Sequence, residues 1–182
     1  NIKIHSLVNA YDDGKSTGEI RDFFNILGPS DIRKTQSSLI NIKNKNYKKK
    51  IFFFNFRFDQ DCTRNKAFNL LTNLTSNNVD RKFYIDQKVN KKIAYLVSFF
   101  LKNLKKIEIK KKKYFNFQDC SLLNILYSGA LLKSKYNINA SIKYINKIFD
   151  INQNVFSITN DNRYLVGIRE SGEVLYRESE IV

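Results

Sequence analysis

Asp12-Asp13-Gly14 closes a short apolar run, and Pro29-Ser30-Asp31-Ile32-Arg33 follows about one short helix later. The carboxylates of Asp12, Asp13 and Asp31 are the groups that hold a divalent cation. Mg²⁺ takes one or two protein carboxylates and completes its shell with phosphate oxygens and water. Ser16 and Thr17 follow the first acidic turn, and Gly14 and Gly18 leave the chain room to bend or be approached. Such residues at a helix start can donate to phosphate or substrate. Arg21 and Arg33 have the planar fork that clamps an anion with two bonds. Each type also has a plainer use: Asp and Ser cap helices, and surface arginines are often only solvated. Two acidic, hydroxyl-rich turns in succession point to a nucleotide or phosphate-ester site.

The elements that must position these residues can be read around them. Asn1–Tyr11, with Ile2, Ile4, Leu7 and Val8, reads as a strand, which we place at Ile2–Ala10. In open α/β sheets, ligands lie at the carboxyl ends of strands, where Asp12, Asp13 and Asp31 are expected to converge. Gly14-Lys15-Ser16-Thr17 looks at first like a phosphate-binding P-loop. That loop needs a glycine five residues before the second one, and Asn9 stands there instead. Two aspartates would also repel a phosphate unless a metal came between, so the P-loop is rejected.

After the second acidic turn and its helix, Lys43–Lys50 reads as a basic connection and Ile51–Leu74 as a helix interrupted at Asp59–Arg64. Thr75–Asp80 is a loop and Val79–Ile85 a short strand. The clearest helix runs from Lys88 to Lys106, where Ile93, Leu96, Val97, Phe100, Leu101 and Leu104 keep helical spacing. Helices are expected at Asp119–Ser134 and from an Asn139 cap to Phe149. The end reads as β: Val155–Thr159, Tyr164–Ile168, a Ser171-Gly172 turn and Val174–Tyr176. The fold class expected is α/β: a partial, Rossmann-like parallel-sheet core with a helical insertion and a C-terminal β segment. Residues 1–182 read as one domain, incomplete at both ends.

The chain has 182 residues, 42% of them hydrophobic, enough for one core. Its longest relevant apolar stretch, Ile93–Leu101, is far below the roughly 20 residues of a membrane span. No signal peptide is visible. With two distant cysteines and His5 as the lone histidine, a zinc site or histidine triad lacks material. The expectation is a reduced, cytoplasmic protein without a membrane partner, with homo-oligomerisation left open. The net charge of +15 invites a nucleic-acid reading, but Lys, Asn, Ile, Phe and Tyr all have A/T-rich codons, so genomic bias can supply much of the lysine. Non-specific polyanion affinity is the part of that reading that remains.

The run Leu7 to Arg21, followed by Leu27-Gly28-Pro29-Ser30-Asp31-Ile32-Arg33, resembles one known family. It is similar to the 2-phospho-L-lactate transferase (CofD) and gluconeogenesis factor (YvcK) family, with its Asp-Asp-Gly-Gly-Ser-Ser-Gly-x-x-Arg and Pro-Gly-Asp-Ile-Arg segments. Lys15, Thr17 and Ser30 depart from that pattern. Asp119-Cys120-Ser121-Leu122-Leu123-Asn124 resembles the family's Ser-x-Gly-Asn segment, with Leu123 for the glycine. The tail resembles the late β segment, with Arg177 for a glycine before Glu178. The resemblance implies that members carry a Gly-rich loop before this strand and a further α/β part after it.

The resemblance implies a site in which Asp12, Asp13 and Asp31 serve Mg²⁺ and catalysis. Gly14, Ser16, Thr17, Gly18, Arg21, Arg33, Ser121 and Asn124 would meet the substrate or nucleotide. The implied function is a nucleotide-diphosphate-dependent transferase that moves a phospholactyl-type group from a guanosine diphosphate adduct to an alcohol. The alternative is a non-catalytic, YvcK-like binder of UDP-sugars that regulates carbon metabolism or wall synthesis. A basic nucleic-acid-binding module is the third reading.

Overall fold

The computed structural model describes residues 4–76, 78–176 and 178–181. Asn1 to Lys3 of the expected first strand, and Arg177 of the tail match, lie outside the described residues. The fold is mixed α/β but mostly helical. Strand β1 (His5–Val8) leads into α1 (Lys15–Phe24), α2 (Ser30–Ser38), α3 (Tyr47–Asn55), α4 (Arg64–Thr75), α5 (Gln87–Lys111), α6 (Leu122–Lys133) and α7 (Ile138–Phe149). Then come β2 (Asn154–Ser157), β3 (Gly167–Ile168), β4 (Val174–Leu175) and the single turn α8 (Glu178–Ile181).

The β1 and β2 strands pair in parallel, from His5 against Asn154 to Val8 against Ser157. Seven helices fill the crossover between them, so the two acidic turns fall at the carboxyl end of β1. The parallel core expected from the sequence is present as this one two-stranded pair. A separate two-stranded antiparallel sheet, β3–β4, closes at the expected turn, where Gly172 adopts a φ of +85. Strand β1 is shorter than expected at its end because the Asn9 side chain accepts the Tyr11 amide and turns the chain.

The core is built on α6. Every residue from Leu122 to Leu131 is buried, the polar Asn124 and Ser128 among them, so this helix is enclosed on all sides. At Gly129, a Cβ would lie 2.4 Å from the Leu96 carbonyl oxygen, so glycine is what lets α5 and α6 touch backbone to backbone. Phe53 and Phe54 on α3 are fully buried. Phe54 meets the Phe149 ring edge-on at 4.8 Å, a geometry worth about 0.5–1.5 kcal/mol beyond burial.

Several expectations need correction. Lys48–Lys50 are not part of a connection; they form the first turns of α3. Residues 79–85 form no strand, because Asp80 starts a turn that accepts the Phe83 and Tyr84 amides. Helix α5 runs on to Lys111 and ends where Lys112 turns left-handed. The α6 helix starts at Leu122, not Asp119, since Asp119 has a φ of +51. The α7 cap is Asn137, which accepts the Ala140 amide; Asn139 instead bonds the Ser157 backbone and ties α7 to β2. Among the described residues, no helix is long and apolar enough to cross a membrane.

Candidate functional site

The site grows from the turn after β1. Asp12 folds its carboxylate back to accept the Gly14 amide at 2.9 Å, a local closure typical of aspartate in turns. The Gly14 carbonyl then accepts the Thr17 amide and starts α1. Two glycines let the acidic turn be gripped from both sides. A Cβ on Gly18 would lie 2.2 Å from the Asp13 carbonyl oxygen, and one on Gly28 would lie 2.1 Å from that of Asp12. The Asp12–Asp13 backbone is therefore sandwiched between α1 and the loop entering α2.

Arg21 fastens the same turn from within. It is fully buried, and its guanidinium donates to the carbonyls of Tyr11 (2.6 Å) and Arg163 (2.6 Å) and to Asn162 Oδ1 (3.1 Å). The Tyr164 ring lies 4.2 Å from it. Arg33 is also buried and donates to the Phe54 carbonyl at 2.9 Å. Burial first, and the nearby Arg57 charge second, push the Arg33 pKa below its ordinary value, while Asp12 and Asp31 act against them. That field places both acidic turns within electrostatic reach of one guanidinium.

Thr17 on α1, Ser30 on α2 and Asn124 on α6 meet in one buried cluster. The Thr17 and Ser30 hydroxyls are hydrogen-bonded to each other, and Asn124 Nδ2 donates to Ser30 Oγ at 3.2 Å and Thr17 Oγ1 at 3.5 Å. The first turns of three helices are thus held together. None of the three has a side-chain cap bond at its start. The α4, α5 and α7 helices do, from Thr63, Asp86 and Asn137; α3 is the uncapped helix elsewhere. Asn124 Oδ1 and Ser121 Oγ are fully buried at this junction without a hydrogen-bond partner. Native proteins rarely leave such atoms unpaired.

A cleft of about 410 Å³ opens beside the junction, lined by Ser16, Glu19, Gln60, Asn116, Gln118 and Asp119. Its rim carries Arg57, whose guanidinium lies 3.2 Å from Ser16 Oγ and 3.1 Å from Asp119 Oδ1. Sequence reading missed Arg57 and the cleft's amides. A signal was there: Phe56-Arg57-Phe58 alternates apolar and polar, as an extended segment with Arg57 on its outward face would.

The three aspartates do not gather into one closed metal cluster. Asp31 points to Lys34 at 2.9 Å on the exposed side of α2, and Asp12 serves the Gly14 amide. Among the described residues, no group of three or more His, Cys, Asp or Glu side chains is placed to hold an ion. The donor set still suits Mg²⁺, which asks for one or two carboxylates and takes its other oxygens from phosphate. Cys120 is fully buried, and burial pushes its thiol far above the ordinary range, which removes it as a nucleophile.

The sequence profile of a family described as 2-phospho-L-lactate transferase CofD matches residues 1–182. The chain belongs to this family. Among solved structures, protein BH3568 from Bacillus halodurans has the same fold, with a TM-score of 0.58 at 18% identity. The match covers 98% of this chain and 39% of BH3568, so the chain spans well under half the length of that relative. Comparison with curated proteins gives no match. Thr17 after the first acidic turn, Ser30 before the second and Asn124 in the Ser121–Asn124 segment are the pieces that the fold brings to one junction.

Proposed function

We propose that this junction binds the diphosphate of a nucleotide and that the protein containing it is a Mg²⁺-dependent transferase of the CofD type. The observation that carries this reading is the junction of the α1, α2 and α6 starts, with the unpartnered Ser121 Oγ and Asn124 Oδ1 inside it. Helix starts present amide donors and positive dipole ends, so three of them favour a multiply charged anion. Ser16, Thr17, Ser121 and Asn124, with the backbone at Gly14, contact the ligand. Gly18 brings α1 under the acidic turn, and Arg21 and Arg33 hold the two turns in place while adding positive field.

The carboxylates of Asp12 and Asp13 would hold Mg²⁺, with Asp31 on the neighbouring turn as a further candidate, and the metal would supply charge to offset the diphosphate. In the reaction, an alcohol oxygen attacks the distal phosphorus and the bond to the proximal phosphate breaks. A nucleoside monophosphate leaves with that electron pair, and a carboxylate of the acidic turns accepts the alcohol proton. The chain's share is to position the phosphates and stabilise their charge, which is most of phosphoryl-transfer catalysis.

Calorimetry of the protein with guanosine and uridine diphosphate ligands, with and without Mg²⁺, tests the reading. Metal-dependent binding that Asn124→Ala weakens at least tenfold is expected. Binding with no turnover of a guanosine diphosphate adduct would mark a UDP-sugar-type regulator instead. Absence of binding to either ligand refutes the nucleotide site.

A further inference from the structure

We propose that Arg57 is the arginine that receives a ligand oxyanion at this junction, and that Asp119 occupies its guanidinium until the ligand arrives. The proposal rests on the anion site described above and assigns it a residue that no sequence motif marked.

Three arginines surround the junction, and they differ in what holds them. Arg21 is fully buried against two carbonyls, an amide oxygen and a tyrosine ring. Arg33 is sealed against the Phe54 carbonyl. Moving either one would leave buried carbonyls unpaired, which costs far more than a surface bond returns. Arg57 is different. Its side chain is 37% exposed and that of its partner Asp119 34%, and a pair so open to water is worth little net. Arg57 also donates to the Asp119 backbone carbonyl, but at an exposed position where water can take its place, so exchange of one oxyanion for another is cheaper at Arg57 than at Arg21 or Arg33.

Backbone pairing fixes where that exchange takes place. Arg57 faces Ser121 in an isolated antiparallel bridge; Phe58 N donates to the Cys120 carbonyl and Leu122 N to the Phe56 carbonyl. The guanidinium is thus anchored at the start of α6, beside the unpartnered Ser121 Oγ, and reaches across to Ser16 at the start of α1. It also lies close enough to Arg33 to depress that group's pKa. Asp119 is the carboxylate that the chain places on the Arg57 guanidinium. Asp119 sits in a left-handed conformation, with φ at +51, that few non-glycine residues adopt. Arg57 Nη1 alone carries the bonds to the Asp119 carbonyl (2.5 Å), to Asp119 Oδ1 (3.1 Å) and to Ser16 Oγ (3.2 Å), whereas an Arg–phosphate pair forms two parallel charge-assisted bonds.

The test is calorimetry of the protein with pyrophosphate, and with guanosine and uridine diphosphates, in Mg²⁺ buffer. Arg57→Gln should weaken pyrophosphate binding at least tenfold with an unchanged melting temperature. Asp119→Asn should tighten it about threefold or more, because the competing charge is gone while the side chain keeps its shape. A structural role for the pair predicts the opposite for Asp119→Asn, namely weaker or unaltered binding, and that result overturns the proposal. Nucleotide binding that survives Arg57→Gln but is lost in Asn124→Ala also overturns it, and leaves the nucleotide site standing. If the wild type takes neither pyrophosphate nor nucleotide, the anion site itself fails and Arg57 fails with it.

Discussion

At the scale of residues, the acidic turn depends on groups that never need to touch a ligand. Gly18 admits the Asp13 carbonyl to within a distance no Cβ allows, so Gly18→Ala must push the turn off α1. The cost of such overpacking is about 1–3 kcal/mol, read as a lowered denaturant midpoint, and ligand affinity should fall with it. Arg21→Met should cost about 3 kcal/mol, because the carbonyls of Tyr11 and Arg163 lose their donor. Lys50 tests burial of charge in the same way. The residue is 3% exposed, and its ammonium donates to the Phe149 carbonyl at the end of α7. Burial lowers its pKa below the ordinary 10.5, opposed by Asp150 and Asp86. Below the folded pKa, the folded state carries the cost of burying that charge. Between the folded pKa and 10.5 the unfolded chain binds more protons than the folded one, so this contribution to stability rises with pH. Denaturant titrations of wild type and Lys50→Met should show the difference between them shifting in favour of wild type as pH approaches 10.5. A difference that stays constant with pH would mean the Lys50 charge is not the cause.

At the scale of elements, the tight α5–α6 contact is the most exposed to test. Gly129→Ala places a methyl against the Leu96 backbone, which cannot rotate away, so the two helices must separate. A loss of about 1–3 kcal/mol is expected, with weaker ligand binding as a second effect, since α6 carries Asn124 into the junction. Much of this architecture was readable in the residues. The Lys88–Lys106 stripe keeps helical spacing, and the turn residues Gly14 and Pro29 mark helix starts within a residue. What was not readable came from contacts distant in sequence. Asn137 and Asn139 are equally good caps by type, and only the need of the Ser157 backbone for a partner decides between them. The two turns and the Ser121–Asn124 segment were visible as candidates. Their meeting was not, because the Asn124–Thr17 contact spans 107 residues and no local pattern encodes it. Arg57 was missed for the same reason, its Asp119 partner lying 62 residues away.

At the scale of the whole molecule, a net charge of +15 sets a background attraction for every anion, and a site must be told apart from it. Two groups of lysines lie outside the cleft. Lys105, Lys112 and Lys113 line a groove with Ile109 and Tyr114 at the end of α5, and Lys45, Lys88, Lys92 and Lys147 gather around the start of that helix. Among the described residues, the cleft beside α1 is instead lined by hydroxyl, amide and carboxylate groups. Salt separates the two kinds of binding. A single-stranded oligonucleotide held by many lysines releases many counterions, so its affinity should drop by about 300-fold or more between 50 and 200 mM salt if six or more phosphates are neutralised. A diphosphate held by helix starts, Ser121, Asn124 and one exchangeable arginine involves few such charges and should lose about tenfold or less over the same range. Removing charge from the groove at the end of α5, as in Lys105→Gln with Lys112→Gln and Lys113→Gln, should weaken the oligonucleotide and leave the diphosphate untouched. Fluorescence anisotropy for the first and calorimetry for the second, run on the same preparations, give both slopes. Equal slopes for the two ligands, or a diphosphate affinity that falls with the groove variant, would mean that charge alone draws both and that the three helix starts select nothing.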